Sequence, residues 1–243
     1  MIINITGYIV QNEDKDMYDF FGLPSICPKD VQKKLASAGG APVEVRVDSY
    51  GGSVWAGSTI YTELREYPGA VLIKVTGLAA SAASIVCMAG RCLMSPTAQM
   101  MIHNASAQAE GDYHRMEETA EFLKISNESI AAAYTEKTGL PTADILELMD
   151  KEKWLTAKQA KDMGLVDGLL FDSAFSGPID SAPLPSSAVC GYQRMREAYR
   201  QATSAASHGK QGTEAQSEAA PVQITLAAEA FARLNIEKHR FGG

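Results

Sequence analysis

Cysteine is scarce in this chain, with four in 243 residues and no two set as C-x-x-C. Cys87 and Cys92 lie near an apolar helix-like stretch, and Cys27 and Cys190 stand far from them in sequence. Paired histidines that would complete a zinc set are missing too. These absences exclude a disulfide framework and a zinc centre, and they point to small buried thiols in a reducing compartment. Basic residues are outnumbered, 22 Lys and Arg against 29 Asp and Glu, for a net charge of -7. Nucleic acid is therefore excluded as the main partner, because binding it rests on basic patches. Long apolar runs are also lacking. The longest weakly polar stretch, Gly77 to Gly90, is interrupted by Ser81 and Ser84, well short of the ~20 apolar residues that span a bilayer. The amino terminus, Met1-Ile2-Ile3-Asn4, has neither the basic region nor the apolar core of a signal peptide. The expectation is a cytoplasmic protein that needs no membrane, metal or cofactor.

What is present is ordinary globular material, 46% hydrophobic and 21% charged. Composition breaks near residue 172, giving a domain over 1–171 and a Pro/Ser/Ala-rich linker and tail over 172–243. The tail carries seven basic and seven acidic residues, so the domain holds the whole net charge. Within the tail, Tyr192 to Ala202 and Ile224 to Lys238 have weak helical patterns. Within the domain, apolar segments alternate with turn signals. Short strands are predicted at Ile2 to Ile5 and Tyr8 to Val10, separated by Gly7. A helix follows from Pro28 to Ala38, then the alternating strand Val43 to Val47. Next come a helix from Ser53 to Tyr67, a buried strand from Val71 to Val75 and a short apolar helix from Ala82 to Ala89. Strands at Arg91 to Met94 and Met100 to Ile102 precede a long helix from Asp112 to Lys137. Its Met116, Leu123 and Ile130 recur every seven residues, the spacing of a helix packed on another helix, or of one buried in its own domain. Two short helices, Thr142 to Met149 and Ala157 to Met163, lead to a strand at Gly168 to Phe171. Alternating strands and helices imply an α/β fold with parallel pairing and right-handed crossovers.

Four segments can carry chemistry. In Val47-Asp48-Ser49-Tyr50-Gly51-Gly52-Ser53, a strand runs into two glycines and a helix start. Glycines there leave backbone N–H groups uncovered beside a helix terminus, which suits a developing oxyanion or a plain tight turn. In Gly77-Leu78-Ala79-Ala80-Ser81-Ala82, small residues around Ser81 leave room for a substrate backbone. The serine is either a nucleophile or a helix cap. It does not sit in the G-x-S-x-G elbow, because its glycine lies four residues earlier. His103 closes the apolar strand Met101-Ile102, where an imidazole is either structural or the base that a serine hydroxyl needs. Asp150 and Glu152 fall in a loop between two helices and offer carboxylates to orient such a base. Thr156 with Gln159 has the pattern of a capping box.

The order and spacing of these segments resemble the Clp protease proteolytic subunit (ClpP) family, most closely its relatives among the head maturation proteases of tailed phages and prophages. Asp48 to Gly57 resembles the family's N-S-P-G-G-x-x-x-A-G turn, Gly77 to Ser81 its G-x-A-A-S motif, and Met101-Ile102-His103 its M-I-H motif. Trp154 to Ala160 followed by Gly164 to Asp167 resembles its F-L-S-A-x-E-A and G-L-V-D segment. The likeness covers about residues 1–171. It implies a crotonase-like α/β spiral and serine peptidase activity. Ser81 would be the nucleophile, His103 the general base, and the N–H groups of Gly52 and Ala82 the oxyanion hole. The family's orienting aspartate falls at Glu152, with Asp150 the nearby substitute. No cofactor or metal is implied.

The expected activity is an ATP-independent endopeptidase that trims capsid or scaffold proteins from a homo-oligomeric ring. The seven-residue stripe on the long helix would pack on a neighbour. The tail would contact capsid or scaffold and offers a site for self-cleavage. Its length, the 22-residue Ser81–His103 spacing and the absence of an axial loop depart from the housekeeping subunit. The alternatives are a chamber fed by a host ATP-dependent unfoldase, a capsid scaffold with a degenerate site and, less well matched by Ser81 and His103, an acyl-CoA hydratase or isomerase.

Overall fold

The computed structural model describes residues 1–172. The readings made for the tail, including both weak helices, lie outside the described residues beyond Asp172. Strand β1 (Ile2–Ile9) is followed by a short helix α1 (Lys15–Phe20), a two-residue strand β2 (Ser25–Ile26) and helix α2 (Pro28–Ala38). Strand β3 (Val43–Gly52) and helix α3 (Val54–Glu66) come next, then strand β4 (Val71–Ala80) and helix α4 (Ala82–Cys87). Strands β5 (Arg91–Met94) and β6 (Gln99–Ile102) lead to the long helix α5 (Tyr113–Thr138). Helix α6 (Thr142–Asp150), strand β7 (Lys153–Thr156), helix α7 (Ala157–Asp162) and strand β8 (Gly168–Leu169) complete the described part.

One eight-stranded sheet runs in the order β2-β1-β3-β4-β5-β8, with β6 attached to β4 and β7 attached to β6. All pairings are parallel except β6 with β7. Along β3 burial strictly alternates. Val43, Val45 and Val47 are buried with Ile60 and Leu64 of α3 and Ile85 and Val86 of α4. The opposite face carries Glu44, Arg46 and Lys74, and Glu44 bonds both cations at 2.6 Å. The sheet thus buries one face under helices and keeps a polar face. That is why the strand pattern was readable as alternation, whereas a doubly covered parallel strand reads as a continuous apolar run.

Strand β4 decides where the site forms. Its first half, Leu72 to Val75, pairs with β5, and its second half, Leu78 to Ala80, pairs with β6. The sheet therefore branches at Thr76-Gly77, and β6 is carried to the end of β4 that precedes Ser81.

Several sequence expectations need correction. The two strands expected around Gly7 are one strand, with a register shift between Gly7 and Tyr8. Buried Ser49 secures that irregularity, donating to Gly7 O at 2.7 Å and accepting from Gly51 N at 3.0 Å. The strand expected to stop at Val47 continues to Gly52. The segment after Asp150, read as a loop between helices, contains β7, whose partner β6 lies some fifty residues earlier. Elements α1 and β2 gave no periodic signal because they are only six and two residues long. The stripe on α5 is split: Ile130 is buried, whereas Met116 is 43% exposed. Cys27, Cys87 and Cys92 are buried free thiols, as expected, and Cys190 lies outside the described residues.

Candidate active site

Strand register assembles the site. Ala80 of β4 pairs with Met101 of β6, so the residues that follow these parallel strands, Ser81 and His103, emerge at the same end. Strand β7 runs the other way, and Lys153 pairs with Ile102. Glu152 immediately precedes β7 and His103 immediately follows β6, so both flank the last pair of that ladder. Three segments far apart in sequence thus converge through backbone pairing alone.

Ser81 is held in an unusual conformation, φ 55° and ψ -128°, outside the left-handed basin that non-glycine residues occasionally use. The turn is tied down on both sides. Ser81 N–H donates to Met101 O at 3.0 Å, and Ser81 O accepts from Ser84 N–H at 2.9 Å. Although Ser81 occupies the cap position of α4, its side chain makes no capping hydrogen bond. Its Oγ lies 2.8 Å from His103 Nε2 instead. Of the two local readings of this serine, the hydroxyl engages the imidazole and not the helix.

The glycines of β3 fit against this turn. Gly51 has φ 87°, and a Cβ there would come 2.5 Å from Ala80 O and 2.8 Å from both Ala82 N and Ser81 Cβ. Gly52 has φ 145°, and a Cβ there would come 2.2 Å from Ile9 O. Both positions therefore exclude a side chain; Gly51 borders the Ser81 turn, and Gly52 lies against Ile9 of β1. Ala82 is the first residue of α4, so its N–H has no acceptor within the helix.

His103 is half-buried. Burial pushes its imidazole below the usual value, and the Glu152 charge acts in the opposite direction. The net effect favours a neutral ring near neutral pH, the state that accepts a proton. The following residues anchor the strand end: Ala105 N–H donates to Asn127 of α5 at 2.8 Å, and Asn104 Nδ2 donates to Asp150 Oδ1 at 2.6 Å.

The two acids separate clearly. Asp150 is engaged by Asn104, while Glu152 is the carboxylate whose charge reaches His103. Glu152 also sits at φ 46°, and Trp154 Nε1 donates to its Oε1 at 3.4 Å. Among the described residues no hydrogen bond joins Glu152 to His103. Sequence reasoning missed Ser49, Ser84, Asn104 and Tyr134 as parts of the site's frame. A hydroxyl at 84 inside the otherwise apolar run of α4 was the one available signal, since a buried hydroxyl needs a partner. Among the described residues, no helix is long and apolar enough to cross a membrane.

A mostly parallel sheet whose strand ends bring a serine hydroxyl onto a neutral imidazole is the arrangement of a serine-type peptidase. The chain belongs to the Clp protease family, whose model matches residues 34–173. It is similar to the ATP-dependent Clp protease proteolytic subunit 1 of Chlamydia caviae, 36% identical over 151 residues that cover 58% of this chain and 79% of that protein. It is also similar to proteolytic subunit 3 of Rhodococcus jostii, 32% identical over 143 residues, 56% of this chain and 69% of that protein. Among solved structures, a mutant of ClpP1 from Listeria monocytogenes superposes with a TM-score of 0.59 at 25% identity, over 71% of this chain and 92% of that one.

Proposed function

We propose that this chain is the proteolytic subunit of a ClpP-type serine endopeptidase, with Ser81 as nucleophile, His103 as general base and Glu152 as the acid that stabilises the imidazolium. The observation that carries this reading is the 2.8 Å contact between Ser81 Oγ and His103 Nε2. In the acylation step His103 takes the Ser81 proton as Oγ adds to the scissile carbonyl, then delivers that proton to the leaving amine. The N–H groups of Gly52 and Ala82 receive the oxyanion. Water then adds to the acyl-enzyme with the same base, and Ser81 is restored.

Assembly into a homo-oligomeric ring completes the proposal. Phe122 and Ile125 of α5 are 46% and 62% exposed, so apolar surface of this helix is available to a neighbour. Light scattering that finds only a 26.0 kDa active species at all concentrations would refute the ring.

Two finer roles compete. The motif resemblance to phage head maturation proteases and the Pro/Ser/Ala-rich tail favour ATP-independent trimming of capsid or scaffold proteins, with the tail contacting the shell. The likeness to ATP-dependent proteolytic subunits of Chlamydia caviae and Rhodococcus jostii favours a chamber fed by an unfoldase. A fluorophosphonate probe tests the shared chemistry. Labelling that maps to Ser81 supports it, and a chain that resists the probe under conditions of measurable peptide hydrolysis overturns it. Cleavage of folded capsid protein without nucleotide selects the first role. Degradation of a folded substrate only with an unfoldase and ATP selects the second.

A further inference from the structure

Behind the Ser81 turn lies a pair of polar groups that the reaction itself does not use. Ser84 is fully buried, and Tyr134, on the carboxyl-terminal half of α5, is 1% exposed. Ser84 Oγ lies 2.6 Å from Ser81 O and 2.7 Å from Tyr134 Oη. The direction of this chain follows from proton count. A carbonyl oxygen only accepts, so the single Ser84 hydroxyl proton is committed to Ser81 O. Ser84 Oγ must then accept from Tyr134, which donates its own proton. Burial pushes the Tyr134 phenol well above its usual value, so that donor keeps its proton throughout the working range. Ser81 O receives two donations from one residue, the Ser84 N–H at 2.9 Å and the hydroxyl.

This matters because the Ser81 conformation is costly. A non-glycine residue in a sparsely populated region of φ/ψ persists only where its surroundings over-determine it. The carbonyl of Ser81 is one handle by which that backbone can be held, and the peptide that carries it also carries the N–H of Ala82. We propose that Tyr134, acting through Ser84, is a positioning residue for catalysis: the chain Tyr134 Oη–H to Ser84 Oγ–H to Ser81 O fixes the Ser81–Ala82 peptide, and with it the aim of the nucleophile at His103. The inference rests on the reading of Ser81 as nucleophile given above. It extends the machinery from the turn to α5, fifty residues away in sequence.

The test compares wild type, Tyr134→Phe, Ser84→Ala and the double variant. Tyr134→Phe deletes one oxygen and keeps the ring in its pocket. It should lower kcat and the fluorophosphonate labelling rate together by about tenfold, with KM within about twofold, because only the aim of the attacking atom changes. Ser84→Ala should cost at least as much. The double variant should fall no further than Ser84→Ala, since Tyr134 acts only through Ser84. Melting curves establish that each variant is folded, and loss of melting temperature alone, with kcat and labelling unchanged, is the signature of a merely structural pair. A folded Tyr134→Phe or Ser84→Ala that labels at the wild-type rate overturns the proposal. So does a double variant whose loss is the product of the two single losses. Wild-type labelling that maps away from Ser81 overturns this inference and the catalytic reading together, whereas mapping to Ser81 with an unaffected Tyr134→Phe overturns the positioning role alone.

Discussion

Ser81 and Glu152 both adopt positive φ, 55° and 46°, and both act on His103, one by a hydrogen bond and one by charge, yet they are held in opposite ways. The Ser81 turn is enclosed. Its N–H, carbonyl and hydroxyl each have a partner, Gly51 closes over it, and Ser84 and Tyr134 stand behind it. The Glu152 turn is open to solvent on one side, and the carboxylate's hydrogen bond is a long one from Trp154. The serine is thus fixed by many short-range constraints and the carboxylate by few. Preorganisation is strongest where the reacting atom needs a defined direction, and weakest where a charge acts at a distance. An acid with an extra methylene, in place of the family's aspartate, is compatible with such a loosely framed position.

The largest effect that would sharpen this contrast is at the enclosed end. Ser81→Ala should reduce peptide hydrolysis by at least ~10³-fold and leave only what binding and the oxyanion hole supply. The melting temperature should hold or rise, because an active-site hydroxyl is not what stabilises the turn. Wild-type turnover by this variant would remove the nucleophile assignment.

At the open end the losses should be smaller. Where an orienting acid touches its histidine, amidation costs ~10⁴ in turnover in the chymotrypsin-type enzymes. Glu152 acts on His103 through charge without a hydrogen bond, so Glu152→Gln should cost about 10- to 100-fold. Asp150→Asn should cost less than about threefold, because Asp150 serves Asn104. Steady-state hydrolysis by the two variants decides it, and a reversed order would make Asp150 the acid.

The pH profile gives a smaller effect with a definite sign. The base must be neutral to act, and burial lowers the His103 pKa while Glu152 raises it. The acid limb of kcat/KM should therefore lie below the ordinary histidine value of ~6.5. Removing the Glu152 charge should move that limb to still lower pH, even as the plateau drops. A limb that moves upward in Glu152→Gln contradicts this electrostatic account.

The smallest effect concerns strain. Left-handed backbone costs a non-glycine residue of order 1 kcal/mol or more, and glycine gives part of that back in unfolded-state entropy. Glu152→Gly should raise stability by up to about 1 kcal/mol while lowering turnover, as read by thermal melting and peptide hydrolysis. A fall in melting temperature would mean that the side chain holds its turn after all.

Much of the architecture was legible in the chain. The Val43 to Val47 alternation reports a sheet with one covered face, because side chains in a strand point to opposite sides. Helix starts were legible too. Thr156 and Gln159 form the expected reciprocal cap, and Ser53 caps α3 through Ala56 N at 3.3 Å. These are local effects, settled within one or two turns of chain. Ser81 and His103 were singled out by motif order, and the two glycines by the need for a side-chain-free turn.

The sequence by itself determined most of the longer strands and helices, and which residue types stand at their ends, but not the short α1, β2 and β7. Only the tertiary structure decided what meets what. The division of β4 between β5 and β6, and the antiparallel return of β7, place Ser81, His103 and Glu152 on adjacent strand ends. Nothing in a stretch of four residues such as Lys153 to Thr156 specifies its partner or direction; that choice follows from burying both strands against the rest of the core. The choice between Glu152 and Asp150 was likewise open in the chain, since both lie within two residues of Lys151. The two differ in space, where Asn104 engages the Asp150 carboxylate and the charge of Glu152 acts on His103. Of the Tyr134–Ser84–Ser81 chain only the hydroxyl at 84 left a local trace, because the hydrogen bond to Tyr134, fifty positions away, exists only once α5 has packed on α4.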